Sequence, residues 1–147
     1  MSITFSYADK RPTIRNVKSL KAFIIQIFQR EATRLQELSY VFCSDEYLLA
    51  INQQFLKHDF YTDIITFDLT EALSDAISGE VYVSVDRVKD NAKALGLPFN
   101  EELLRVVFHG ALHLCGYGDK KKSEIKLMRQ KEDEYLRLYE EINKRST

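Results

Sequence analysis

Two histidines, His109 and His113, stand four residues apart in the run His109-Gly110-Ala111-Leu112-His113, and a carboxylate, Asp119, follows just beyond it. On an α-helix, residues i and i+4 lie about 40° apart on one face, so both imidazoles can reach a single point. Gly116 suits the position after the helix end, where the chain turns through the left-handed region and can bring Asp119 toward the same point. Three such ligands with a fourth position open make a catalytic metal site rather than a closed structural one. A histidine pair at helical spacing is common, so the surroundings must carry the argument. Residues 101–115, EELLRVVFHGALHLC, are apolar around most of the helix circumference, which predicts a helix buried on nearly all sides. Imidazoles in such a helix need partners for their ring nitrogens, and one shared metal satisfies both. Cys115 falls about 240° around the helix from His109 and reads as core packing rather than a further ligand.

A metal held by His109, His113 and Asp119 with an open position can bind water, lower its pKa and polarise a phosphoryl oxygen or a carbonyl. Zinc peptidases of the HExxH type need a glutamate beside the first histidine as general base, and here that neighbour is Gly110. A peptidase would have to take its base from elsewhere, such as Glu80 or Asp63.

The chain has 147 residues, 45% hydrophobic, with few glycines and prolines, which predicts one domain over 1–147 without long linkers, a single metalloprotein domain given the histidine site. Its two cysteines, Cys43 and Cys115, lie far apart and form no CxxC pair, so no disulfide is expected. With no apolar run of membrane-spanning length and no basic-then-apolar leader, the expectation is a soluble cytoplasmic protein with reduced thiols and no membrane partner. Net charge is only −1, but it is unevenly placed. Lys10, Arg11, Arg15, Lys18 and Lys21 form one basic stretch; Lys120, Lys121, Lys122, Lys126, Arg129 and Lys131 form a second, against Glu124 alone. Either stretch alone reads as a solvated helix face. The second begins directly after Asp119, where positive charge beside a metal suits a polyanion such as RNA.

Strands are predicted at Ile3 to Tyr7, Leu38 to Cys43, Ile64 to Asp68 and Gly79 to Val85 from their alternation. Helices are predicted after an Asn16 cap, after an Asp45 cap to about Phe55, from Asp86 to Leu95 ended by Gly96, after an Asn100 cap, and after a Ser123 cap. Glu101 and Glu102 then sit in the first turn of the histidine helix, where negative charge is favoured. Together these elements predict a small α+β domain, a mixed sheet of about four strands packed with about five helices. The metal site falls at the end of a buried helix.

The run HGALHLCGYGD resembles the signature of the YbeY-type metalloproteins, bacterial endoribonucleases of ribosomal RNA maturation, in which HGxLHLxGYDH carries three zinc-ligating histidines. Ile51-Asn52 and the run from Tyr61 to Asp68 are similar to the family's LN…PTDVLSF segment, and Gly79 to Ser84 to its GDIxIS strand. The match extends through Val85 to Val88 and spans roughly residues 50 to 135 in the family's order. Two departures stand out. Asp119 occupies the third ligand position, with Gly118 where the family often has aspartate. Leu56 fills the slot of a functionally important arginine, leaving Lys57 and His58 as the nearest groups able to touch phosphate.

The resemblance implies a metal-dependent endoribonuclease specific for single-stranded RNA, acting at the 3′ end of 16S ribosomal RNA and in ribosome quality control. Its partner would be precursor ribosomal RNA or the small ribosomal subunit. One divalent ion, zinc above all, would be held by His109, His113 and Asp119; a two-histidine, one-carboxylate set also suits iron or manganese. RNA contacts are expected from Lys57, His58, Lys120, Lys121 and Lys122, and no general base is assigned. Two alternatives stand beside this reading: a metal-dependent hydrolase of another substrate such as a peptidase, and a non-catalytic ribosome-associated RNA-binding factor.

Overall fold

The structure, a computed structural model, describes residues 1–145. Four strands, β1 (Ser2–Tyr7), β2 (Leu35–Cys43), β3 (Ile64–Asp68) and β4 (Ile77–Ser84), form one sheet in the order β1-β2-β4-β3. The first three in that order run parallel, and β3 pairs antiparallel with β4, so the sheet is mixed as expected. Five helices accompany it: α1 (Val17–Arg30), α2 (Asp45–Leu56), α3 (Val85–Leu95), α4 (Phe99–Leu114) and α5 (Lys122–Arg145). Among the described residues no helix is long and apolar enough to cross a membrane. Ser146 and Thr147, the end of the expected 1–147 span, lie outside the described residues.

Period-two alternation sends Leu38, Tyr40 and Phe42 of β2 and Val81 and Val83 of β4 to one face of the sheet, where α1 and α4 pack on them. Helix α5 lies against α4 rather than on the sheet. The opposite face is covered only in part: α2 places Leu48 over Cys43 and Ile65, while Thr4 and Ser39 hydrogen bond in the open. The buried Tyr40 hydroxyl donates to the Val107 carbonyl at 2.7 Å and ties α4 to the central strand.

Several helix starts differ from expectation. Asn16 precedes α1 with φ 51° and makes no side-chain cap. Helix α2 is capped by Ser44, whose hydroxyl accepts from the Tyr47 N–H, and Asp45 is its first residue. Ser84 does the same for α3 through the Arg87 N–H, which takes Val85 out of the strand. Helix α4 begins at Phe99 behind Pro98, so Asn100 is already inside it. At α5 the Lys121 N–H donates to the Glu124 carboxylate, and the helix starts one residue before Ser123.

Candidate metal centre

Helix α4 is seated by Leu103, Val107, Phe108, Ala111 and Leu112, all fully buried. It also approaches β4 very closely at Gly110. A Cβ there would lie 2.9 Å from Val81 Cγ1 and 3.2 Å from Ile64 Cδ1. A glutamate beside His109, as an HExxH peptidase requires, therefore has no room in this fold.

That seating leaves His109 at the helix rim, in a cleft of about 330 Å³. The cleft is walled by Thr62 and Asp63 before β3, by Glu102 and Arg105 of α4, by Asp119, and by Met128, Arg129 and Glu132 of α5. His109 Nδ1 lies 2.7 Å from Glu132 Oε2, and Nε2 lies 3.2 Å from Asp119 Oδ2. An ionised carboxylate only accepts, so the Nδ1–H donates to Glu132 and Nε2 is turned toward Asp119. Burial depresses the pKa of His109, but the hydrogen bond and charge of Glu132, with the charges of Asp119 and Asp63, outweigh it and hold the value above that of an ordinary histidine. Glu132 itself is 4% exposed, and its other oxygen accepts from Arg105 at 3.0 Å.

Two donors of one tetrahedral ion, each about 2.0–2.1 Å from it, stand about 3.3 Å apart. The 3.2 Å between His109 Nε2 and Asp119 Oδ2 matches that spacing. His113 is placed differently. Its ring is parallel to that of His109 with centroids 6.5 Å apart, it is exposed, and its Nδ1 lies 3.0 Å from the Tyr117 carbonyl oxygen. Donation to that carbonyl leaves Nε2 as the free donor of His113, but outside the walls of the cleft. Among the described residues no three His, Cys, Asp or Glu side chains stand together at metal-binding separations. The expectation of two partly buried imidazoles thus holds for His109 alone, because His113, between the buried Leu112 and Leu114, is on the outward face of α4. The donor chemistry of His109 and Asp119 fits a divalent ion, and these two are spaced for one; His113 does not stand with them.

The turn carrying Asp119 is anchored from behind. Gly116 adopts φ +105° as expected of a residue following a helix. Tyr117 donates its hydroxyl to Glu31 at 2.5 Å, and Glu31 also accepts from Tyr135 and pairs with Lys131. Burial alone would raise the pKa of Glu31, but the two tyrosine hydrogen bonds and Lys131 bring it below the usual carboxylate value.

Two further acids in the cleft are shifted upward: Asp63 by burial, and Glu102 by burial and then by the charge of Asp63. Glu102 is 5% exposed, and its Oε1 has no hydrogen-bond partner among the described residues. The cysteines take no part. Both are free, and burial pushes their thiols up, Cys43 to about 12 and Cys115 to about 11.

Of the expected RNA contacts, Lys120, Lys121 and Lys122 are exposed directly after Asp119, and Lys57 and His58 are exposed after α2, His58 stacked on Phe60. None lines the cleft; its cations are Arg105 and Arg129. Sequence reasoning missed Glu132, yet a signal was available. Glu132 falls on the buried stripe Met128, Tyr135, Tyr139 of α5, where a carboxylate needs a partner.

The chain can be compared with known proteins on this footing. A family model described as Endoribonuclease YbeY matches residues 4–140. Endoribonuclease YbeY of Flavobacterium psychrophilum is 47% identical over 126 residues, covering 86% of this chain and 89% of that protein. The Cytophaga hutchinsonii protein of the same name is 45% identical over 137 residues, covering 93% and 95%. The solution structure of TM1509 from Thermotoga maritima superposes with a TM-score of 0.65 at 30% identity, over 93% of this chain and 88% of that one. The match runs from β1 into α5 and takes in both walls of the histidine cleft, and on that evidence the chain belongs to the YbeY endoribonuclease family.

Proposed function

We propose that the protein cuts single-stranded precursor ribosomal RNA near the 3′ end of 16S RNA, in the cytoplasm, as a single metalloprotein domain. One divalent ion would be held at the end of α4 by His109, His113 and Asp119. Family membership carries the coarser part: the chain is a metal-dependent endoribonuclease of ribosomal RNA maturation. The observation that carries the finer part is the 3.2 Å approach of His109 Nε2 and Asp119 Oδ2, with Glu132 behind the ring.

When bound, the ion supplies Lewis-acid polarisation of a phosphoryl oxygen and acidifies water. Glu132 keeps the Nδ1–H of His109 engaged and so presents Nε2 as a donor. Asp119 brings a negative charge, and His113 completes the set by swinging its ring toward the cleft. Zinc suits two histidines and a carboxylate; iron and manganese suit the same set. Lys120, Lys121 and Lys122 beside Asp119, and Lys57 and His58 beyond α2, hold flanking phosphates.

The test is cleavage of a labelled precursor 16S 3′ fragment by wild-type protein and His113→Ala, as purified, after chelation, and after return of zinc or manganese. The expected result is cleavage lost with chelator, restored by one metal and absent in the variant. Equal cutting by His113→Ala would remove that residue from the ligand set. Stoichiometric metal without cleavage by wild type would favour the binding-factor reading.

A further inference from the structure

The structure assigns a phosphate-binding role to Arg129: we propose that its guanidinium holds a phosphate of the RNA strand inside the cleft. This rests on the ribonuclease reading and names a substrate contact of the same site. The cleft presents four carboxyl groups, Asp63, Glu102, Asp119 and Glu132, against two guanidinium groups, Arg105 and Arg129. Beyond what a divalent ion at His109 and Asp119 would neutralise, a polyanion entering it meets repulsion unless a side-chain cation is available to it.

Arg105 is not available. Its side chain is 15% exposed, and it donates to Glu132 at 3.0 Å and to Asp133 at 2.7 Å. Arg129 is 59% exposed, and its nearest carboxylate oxygen, Glu132 Oε1, lies 3.6 Å away. That distance is beyond a hydrogen bond, and the oxygen already accepts from Arg105. Arg129 is thus ion-paired with Glu132 but not hydrogen-bonded to it, and its exposed planar fork can turn to make paired hydrogen bonds to two phosphate oxygens. Its place on α5 supports the assignment. It lies three residues, about 4.5 Å along the axis, before Glu132, on the wall that faces His109. Removing Arg129 leaves Glu132 bonded to both Arg105 and His109, so the loss would fall on RNA rather than on the histidine.

The experiment compares full-length wild type, Arg129→Gln, Arg129→Lys and Arg34→Gln, the last an exposed arginine outside the cleft that pairs with Asp75, with thermal unfolding as a check on folding. Metal-loaded proteins are assayed for KM and kcat on a labelled single-stranded RNA, and metal-depleted proteins for binding of a fluorescent RNA of about 12 nucleotides across salt concentrations. Arg129→Gln is expected to raise KM about ten-fold with kcat nearly unchanged. It should also make the plot of log affinity against log salt shallower by about 0.7, one phosphate contact on a single strand. Arg129→Lys should keep the salt slope while recovering only part of KM, and Arg34→Gln should match wild type. The proposal is overturned if Arg129→Gln matches wild type in KM and slope, if it alters kcat alone, or if Arg34→Gln loses as much. A wild-type protein that neither cuts nor binds the RNA would overturn the ribonuclease reading, and the proposal with it.

Discussion

His109 lies between two carboxylates with different tasks. Glu132, nearly inaccessible, takes the Nδ1–H at 2.7 Å, while Asp119, 44% exposed, faces Nε2 at 3.2 Å. A carboxylate behind a ligating imidazole fixes its tautomer and raises its basicity. Glu132→Gln is therefore expected to weaken zinc binding about ten- to a hundred-fold, read by competition between the metal-depleted protein and a chromophoric chelator. Unchanged affinity would mean that the pair orders α4 against α5 and nothing more. The sequence displayed the histidines but not this partner. Glu132 is 23 positions from His109, and only the packing of two helices brings them together.

At the level of elements, two contacts set where His109 and Asp119 stand. The first is the approach of α4 to β4 at Gly110, against the β-branched Val81 that cannot yield by rotating. Gly110→Ala should lower stability by about 1–3 kcal/mol in urea unfolding through overpacking, although alanine is the better helix former. A stabilised variant would mean that the helix shifts freely there. The second is the anchorage of the 116–119 turn on Glu31. Its folded-state pKa lies below the ordinary 4.5, so its contribution to stability is fully present above the unfolded value and disappears as pH falls through the folded one. Glu31→Gln should therefore cost about 1–3 kcal/mol at pH 7, with the gap from wild type closing toward pH 3. A gap independent of pH would assign the effect to packing rather than charge. Caps were the poorest guide to helix ends. Asn16 and Asn100 have suitable chemistry, but a left-handed backbone at one and Pro98 before the other place them where no cap forms.

For the molecule as a whole, binding of a metal to the folded state alone must raise stability by mass action. Free zinc at a hundred times its dissociation constant should add about 2.7 kcal/mol, seen as a higher Tm. His113→Ala should reduce that gain, and an identical shift in wild type and variant would place the ion elsewhere. The same scale decides where RNA can lie. Charge is concentrated after Asp119 and along the wall formed by α5, while Leu56, Lys57 and His58 stand outside the cleft on the far side of Phe60 and Tyr61 in the chain.

Local pattern alone determined the four strands, the helix bearing both histidines, the turn at Gly116 and the mixed α+β class, because alternation, helical spacing and a glycine at positive φ are properties of neighbouring residues. The family signature was legible for the same reason, since it lies within short runs. Only the tertiary structure decided that His109 meets Asp119 while His113 stays at the surface. It alone decided that Glu132, Arg105 and Arg129 complete the cleft, and that Gly110 excludes a neighbouring glutamate. Those facts depend on how α4 sits between the sheet and α5, and side chains that meet across such an interface are set by packing over long sequence separations.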